Sequence, residues 1–168
     1  MIADSLLSHQ IADEVWYVPA RDHCFDKQMS AATHRISMLS KVLKYRTRLE
    51  MVEIERPGKS DAYTTMIELS SQYPHYEFNF VIGSDNLPDF HLWDNYQELL
   101  SKFRFLVYPR FQSPMEPLRA NMQPLSSFKE VSVSSTMVRQ YCYQQQPLNG
   151  LVDPKVAKYI QEHQLYQI

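Results

Sequence analysis

Glycine is almost missing from this chain: Gly58, Gly83 and Gly150 are the only three in 168 residues. Three isolated glycines exclude a P-loop and a G-x-G-x-x-G dinucleotide fingerprint, both of which need several glycines in one turn. A phosphate site here must use other donors. Cysteine is just as scarce. Cys24 and Cys142 have no zinc-type spacing and cannot make a disulfide scaffold. Charge of either sign is not in excess: 17 Lys and Arg stand against 19 Asp and Glu, a net charge of −2. Such a balance argues against nucleic acid as a partner and against an acidic tail. No apolar run approaches membrane-spanning length, and no basic stretch followed by an apolar signal core opens the chain. The expectation is a reduced, soluble, cytoplasmic protein with no membrane partner. Paired carboxylates and a G-x-S-x-G elbow are also absent. His9, His34, His75, His91 and His163 show no metal-ligand pattern, and Cys24 has no base beside it to make it a nucleophile.

What is present suffices for one globular domain over residues 1–168, with 44% apolar residues to bury. Ile2, Leu6, Leu7 and Ile11 share a helical stripe. "EVWYVPA" reads as a strand. A helix capped by Ser30 carries Ile36, Leu39, Val42 and Leu43 on one face. "LEMVEIE" alternates as a strand over 49–55, stopped by Arg56-Pro57-Gly58. Residues 61–73 read as a helix, "FNFVIG" as a short buried strand, 94–102 as helical, and "FRFLVYP" as a strand. The segment 111–127, rich in Pro, Ser and Gln, reads as a surface loop and "EVSVS" as the last strand. Helices follow near 135–144 and 153–163, the second with Pro154 in its first turn.

Strands alternating with helices predict an α/β fold: a parallel sheet with right-handed crossovers and helices on both faces. Ligands of such sheets sit beyond the carboxyl ends of the strands. Three polar clusters fall there: the loop after Ala20, Gly83-Ser84-Asp85, and Ser134-Ser135-Thr136.

In "VSVSSTMVRQ" Ser135 is the expected N-cap. Free N–H groups, the helix dipole and the hydroxyls would attract an anion there, and Arg139, one turn on, would fork onto it. Ser and Thr are also common caps with no ligand at all. Gly83 permits close backbone approach, and Asp85 would accept from ribose hydroxyls or help hold a metal; a capped tight turn is the alternative. Trp93 offers a face for stacking on a heteroaromatic ring, though packing beside Phe90 and Leu92 is the commoner fate of such a ring. His23 and Lys27 stand in the loop after the first strand as phosphate partners, or as solvated loop residues.

The ordered set "DEVWYVPA", "HRISMLS", "VEIERPGKSDAYT", "FNFVIGSDNLPDFHLW", "FRFLVYPR", "VSSTMVR" and "LVDPKVAKYIQEHQLY" resembles the nicotinate (or nicotinamide) mononucleotide adenylyltransferases of the nucleotidyltransferase superfamily. The resemblance covers nearly the whole chain and implies a Rossmann-like fold. It implies that Ser134, Ser135, Thr136 and Arg139 bind the ATP phosphates, with Arg139 and Lys27 catalytic. Gly83 and Asp85 would contact the nucleotide and its ribose. Trp93 would stack on the pyridine ring, with Tyr63, Thr64 and His23 beside the mononucleotide. Arg35 matches an Arg of the family's following helix. The implied partners are ATP, carried with Mg2+, and a pyridine mononucleotide; a homo-oligomer stays open.

The resembling family opens on a strand bearing G-x-F-D-P-x-H-x-G-H. The present chain starts on "MIADSLL", which resembles the helix after that strand, so the first strand and the H-x-G-H histidines are expected to be lacking. Two other readings stay open. One is a noncatalytic nucleotide-binding relative. The other is an adenylyltransferase of the pantetheine-phosphate type.

Overall fold

The computed structural model describes residues 1–21, 30–58 and 60–167. In chain order its elements are α1 (Ile2–Ser8), β1 (Val15–Tyr17), α2 (Ala32–Val42), β2 (Thr47–Leu49), α3 (Val52–Glu55), α4 (Ala62–Gln72) and β3 (Asn79–Gly83). Two single 3-10 turns, Ser84–Asn86 and Phe90–Leu92, come next, followed by α5 (Tyr96–Lys102), β4 (Arg104–Tyr108), β5 (Met122–Pro124), α6 (Ser135–Tyr143) and α7 (Pro154–Glu162). Among the described residues the strands make a two-stranded sheet, β1–β2, and a three-stranded sheet, β3–β4–β5. Every pairing is parallel, with Val15 opposite Thr47, Asn79 opposite Arg104 and Phe105 opposite Met122 at the starts of the registers. Parallel neighbours need a crossover, and helices supply it between β1 and β2 and between β3 and β4. This is the α/β, Rossmann-like class that the alternation predicts.

The chain divides into two compact units. One holds Ala3–Pro57 and Val133–Ile168 with Met1; the other holds Gly58–Ser132 with Ile2. In the first, α2, α6 and α7 close on Val138, Cys142 and Ile160, with Met38 and Val156 against them. Burial pushes the Cys142 thiol up, away from the reactive thiolate. In the second, Met66, Ile82, Leu87, Phe90, Leu99, Phe105 and Val107 form the core. Helix α4 starts on Asp61, whose carboxylate accepts the Thr64 N–H at 2.8 Å, and α7 starts on Asp153 with Pro154 at its first position, the first-turn place expected of that proline.

Five expectations are corrected. The strand expected over 49–55 is only β2, ending at Leu49; residues 52–55 are the single helical turn α3. Glu50 takes the Met51 N–H at 3.1 Å, and the Met51 carbonyl takes the N–H groups of Ile54 and Glu55. Glu53 and Glu55 then lie in a first turn, where the dipole favours acids. "EVSVS" is not a strand: among the described residues it contributes one isolated parallel bridge, Val131 to Arg110.

The outer strand is instead β5, inside the expected surface loop. Asn121, at φ 61°, turns the chain there, and its carbonyl accepts the Phe105 N–H at 2.8 Å. Met122 then packs against the core. Ser30 does not cap α2. The N-cap is Ala31, without a side-chain bond, because the Ser30 hydroxyl accepts from the Tyr166 hydroxyl at 2.9 Å. Finally, the cap of α6 is Ser134, one residue before the expected Ser135.

Candidate functional site

The amino end of α6 is built by local rules. Ser134 is extended (φ −126°, ψ 157°), and its hydroxyl oxygen accepts the Met137 N–H at 3.1 Å. A hydroxyl has one hydrogen and two lone pairs, so Ser134 caps the helix and still has its O–H to donate. The N–H groups of Ser135 and Thr136, the next two residues, have no acceptor among the described residues. A positive helix end therefore keeps two backbone donors and three hydroxyls for an anion. Arg139 stands one turn on, half-buried, its guanidinium 3.3 Å from the Thr136 hydroxyl. Ser135 and Thr136 are exposed.

Two cavities open beside this helix. One, of about 490 Å³, is lined by Ser134, Ser135, Arg139, Arg35, Ser30 and Pro19. The other, of about 690 Å³, is lined by Thr136, Arg139, Gln140, His34, Ser30 and Tyr166. Arg139 faces both. Rotamer freedom and two free flanking spaces let its guanidinium follow an anion without disturbing the helix. Removing the cap is expected to lower stability: Ser134→Ala should cost about 1 kcal/mol, a fall in Tm of about 2–4 °C for a chain this size. Thermal unfolding followed by circular dichroism measures it, and an unchanged Tm would mean that the cap bond contributes nothing.

Among the described residues Arg35, half-buried in α2, donates only to backbone. Its Nε gives to the Ser30 carbonyl at 3.1 Å, one terminal nitrogen to the Ala20 carbonyl, and the other to the Arg21 carbonyl at 3.2 Å. Arg21 in turn donates to the Arg56 carbonyl at 2.8 Å. His34, next to it, meets the Tyr159 hydroxyl at 3.0 Å, and its ring lies 5.4 Å from that of His163. His23 and Lys27 lie outside the described residues, as does Cys24.

In the second unit, Gly83 closes β3. Its φ of −81° is open to any residue, so crowding is what demands glycine. A Cβ there would collide with the Asp85 Oδ1 and come within 2.8 Å of the Arg110 Cγ. The close approach expected of a ligand is made instead by the protein's own ion pair, Arg110 Nε to Asp85 Oδ2 at 3.6 Å. Asp85 remains 48% exposed at its side chain and Arg110 only 16%, so the carboxylate has a free side for hydrogen-bond donors. Ser84, 1% exposed, ties the turn: its hydroxyl donates to the Ser113 carbonyl and accepts the Arg110 N–H. Nearby, burial raises the Tyr108 hydroxyl pKa; Arg110 opposes the shift and Asp85 adds to it.

Trp93 is half-buried. One face lies 4.9 Å from Phe90 at 32°, and Phe80 meets it edge-on at 5.9 Å. The packing holds the indole in place and leaves part of it to solvent. Tyr63 is engaged, its hydroxyl donating to Glu98 at 2.6 Å and accepting from Lys102 at 3.2 Å. That bond raises the Lys102 pKa. Thr64 is exposed, one turn into α4.

Gly83, Asp85, Tyr63, Thr64 and Trp93 thus belong to one unit, and Ser134, Ser135, Thr136, Arg139 and Arg35 to the other. Sequence reading missed Arg110, His34 and Tyr166. Arg110 had a signal, a cation just past the carboxyl end of "FRFLVYP". Tyr166 had none, since its partner Ser30 is remote in the chain. Among the described residues no group of three His, Cys, Asp or Glu side chains is arranged to hold a metal, and no helix is long and apolar enough to cross a membrane.

Comparison with known proteins follows the same lines. The cytidylyltransferase-like family model matches residues 4–141. The nicotinate-nucleotide adenylyltransferase of Bacillus subtilis is 30% identical over 175 residues, spanning 99% of this chain and 89% of that protein. The probable nicotinate-nucleotide adenylyltransferase of Oceanobacillus iheyensis is 30% identical over 171 residues, spanning 99% and 87%. Among solved structures, Plasmodium falciparum nicotinic acid mononucleotide adenylyltransferase complexed with NaAD superposes with a TM-score of 0.81 at 21% identity, covering 99% of this chain and 88% of that one. At that identity it bears on the fold alone.

Proposed function

We infer that this chain, which belongs to the cytidylyltransferase-like family and within it to the nicotinate-nucleotide adenylyltransferases, transfers the adenylyl group of ATP to nicotinate mononucleotide. A phosphate oxygen of the mononucleotide attacks the α-phosphorus of ATP; a P–O bond forms there, the bond to the β-phosphate oxygen breaks, and pyrophosphate leaves with the electron pair. The chemistry needs positioning and neutralisation of charge more than covalent help. The observation that carries the reading is the free amino end of α6 with Arg139 facing a cavity of about 490 Å³. Two uncommitted N–H groups, the hydroxyls of Ser134, Ser135 and Thr136, and one guanidinium suit the oxygens of a triphosphate, whose leaving portion gains charge as the bond breaks. Lys27, as the family resemblance implies, adds a second cation.

Mg2+ enters with ATP in this reading. A magnesium ion binds mostly phosphate oxygens and water, with one or two carboxylates. Carried in on the triphosphate, the ion would neutralise phosphate charge. Asp85 is the acceptor for ribose hydroxyls. The partly open Trp93 face takes the pyridine ring, with His23, Tyr63 and Thr64 around the mononucleotide. The matched residues 4–141 run through both units, in keeping with one nucleotidyltransferase domain over 1–168.

Calorimetry with ATP and with nicotinate mononucleotide, beside a pyrophosphate-release assay, tests the reading; binding of neither ligand overturns it. The other reading is a nucleotide binder without turnover. Binding of both ligands with no pyrophosphate released would mark it. Trp93→Ala is expected to raise the mononucleotide dissociation constant about tenfold, the effect of one lost stacking contact. A fall in Tm with unchanged affinity would assign the indole to packing only.

A further inference from the structure

We propose that Arg35 is the positioning residue of the triphosphate cavity. It acts by clasping the strand-side wall of that cavity through three backbone carbonyls. The proposal rests on the adenylyl-transfer reading for its ligand and on hydrogen-bond geometry for its mechanism. Pro19, Ser30 and Arg35 line the same cavity as Ser134, Ser135 and Arg139. Ala20 and Arg21 follow β1, which ends at Tyr17, and Ser30 precedes α2, which begins at Ala32.

The Arg35 fork ties these segments together. Its Nε takes the Ser30 carbonyl at 3.1 Å, and its two terminal nitrogens take the carbonyls of Ala20 and Arg21. Both sides of the clasp are tied further: the Arg21 side chain reaches the Arg56 carbonyl, and the Tyr166 hydroxyl holds the Ser30 hydroxyl. One planar group with donors in fixed directions thereby sets the distance between residues 20–21 and residue 30. A lysine ammonium cannot do this, being a single point of charge on a flexible stem.

Arg35 therefore spends its charge on shape. It holds the wall at the spacing that lets an anion reach Arg139 and the helix end, and a wall displaced by about 1 Å is enough to cost a site about a hundredfold.

The test uses the full chain with Arg35→Lys, which keeps the charge and the stem, and with Arg35→Ala. In Arg35→Lys the ATP dissociation constant is expected to rise at least about tenfold, while that for nicotinate mononucleotide stays within about twofold. Trypsin cleavage after Arg21 should accelerate at least about tenfold under native conditions, because the carbonyl of the cleaved bond is the one Arg35 holds. In Arg35→Ala, millimolar guanidinium ion should restore most of the ATP affinity.

An ATP dissociation constant within about threefold of the parent overturns the proposal. Parallel loss of both affinities overturns it too, since that marks a general effect on folding. If the parent itself binds no ATP, the adenylyl-transfer reading falls instead, and cleavage after Arg21 still decides the clasp: faster supports it, unchanged sinks it.

Discussion

Replacing Arg139 by alanine is expected to weaken ATP binding about a hundredfold and to leave the Tm within about 2 °C of the parent. The asymmetry follows from what the side chain touches. Arg139 is half-buried, and its one hydrogen bond among the described residues is to the Thr136 hydroxyl at 3.3 Å, a long contact within its own helix. Folding therefore loses little. The buried face of α6 is carried by Val138 and Cys142, which the substitution does not disturb. An anion loses far more: a bidentate, charge-assisted contact is worth about 3 kcal/mol, or roughly a hundredfold. Calorimetric titration with ATP in parallel with thermal unfolding reads both numbers. Unchanged affinity would remove Arg139 from the site. A large fall in Tm would mean that it holds the helix in place and does not serve the ligand.

The largest expected effect on stability lies in the other unit. Phe90 is wholly buried and sits at the hub of an aromatic cluster. Trp93 lies 4.9 Å away, Phe105 meets it edge-on at 5.0 Å, and Tyr96 stands at 6.4 Å. The Arg119 guanidinium lies 5.7 Å from its ring centre, steadied by the Leu87 carbonyl at 3.2 Å. Phe90→Ala should cost about 3–5 kcal/mol through lost burial and the cavity left behind, a fall in Tm on the order of 10 °C. It should also loosen Trp93, whose buried face rests on this ring. Denaturant titration with tryptophan fluorescence would register both; a cost under about 1 kcal/mol would show that neighbours collapse into the space.

How much could be read in advance depended on the range of the interactions. "FNFVIG" is β3 almost to the residue, because a short apolar run beside a Gly is a local signal. Ser134-Ser135-Thr136 and Arg139 were visible because a cap and a side chain one turn on are set by helix geometry alone. Pro154 in the first turn of α7 follows the same logic. What failed was decided at a distance or by backbone. The V-E-I-E alternation has period two, yet its first residue is closed into a turn by Glu50 and Met51. The strand β5 is polar and proline-containing; only its place beside β4 makes it a strand. The Arg35 fork binds carbonyls, which every residue carries and no sequence distinguishes. The Asp85–Arg110 pair crosses from the end of β3 to the end of β4, a proximity that only the parallel register supplies.

Strand β5 has one more consequence. It is the outer member of its three-stranded sheet, and Gln123 and Pro124 are exposed. The Leu125 N–H points inward, to the Val107 carbonyl at 2.8 Å, so by alternation the nitrogen of Pro124 points outward. That nitrogen carries no hydrogen. A foreign strand arriving at this edge would find a three-residue template whose last residue offers no donor, a poor start for extending the ladder. The same proline that disguised the strand in the sequence guards the sheet against self-association into fibrils.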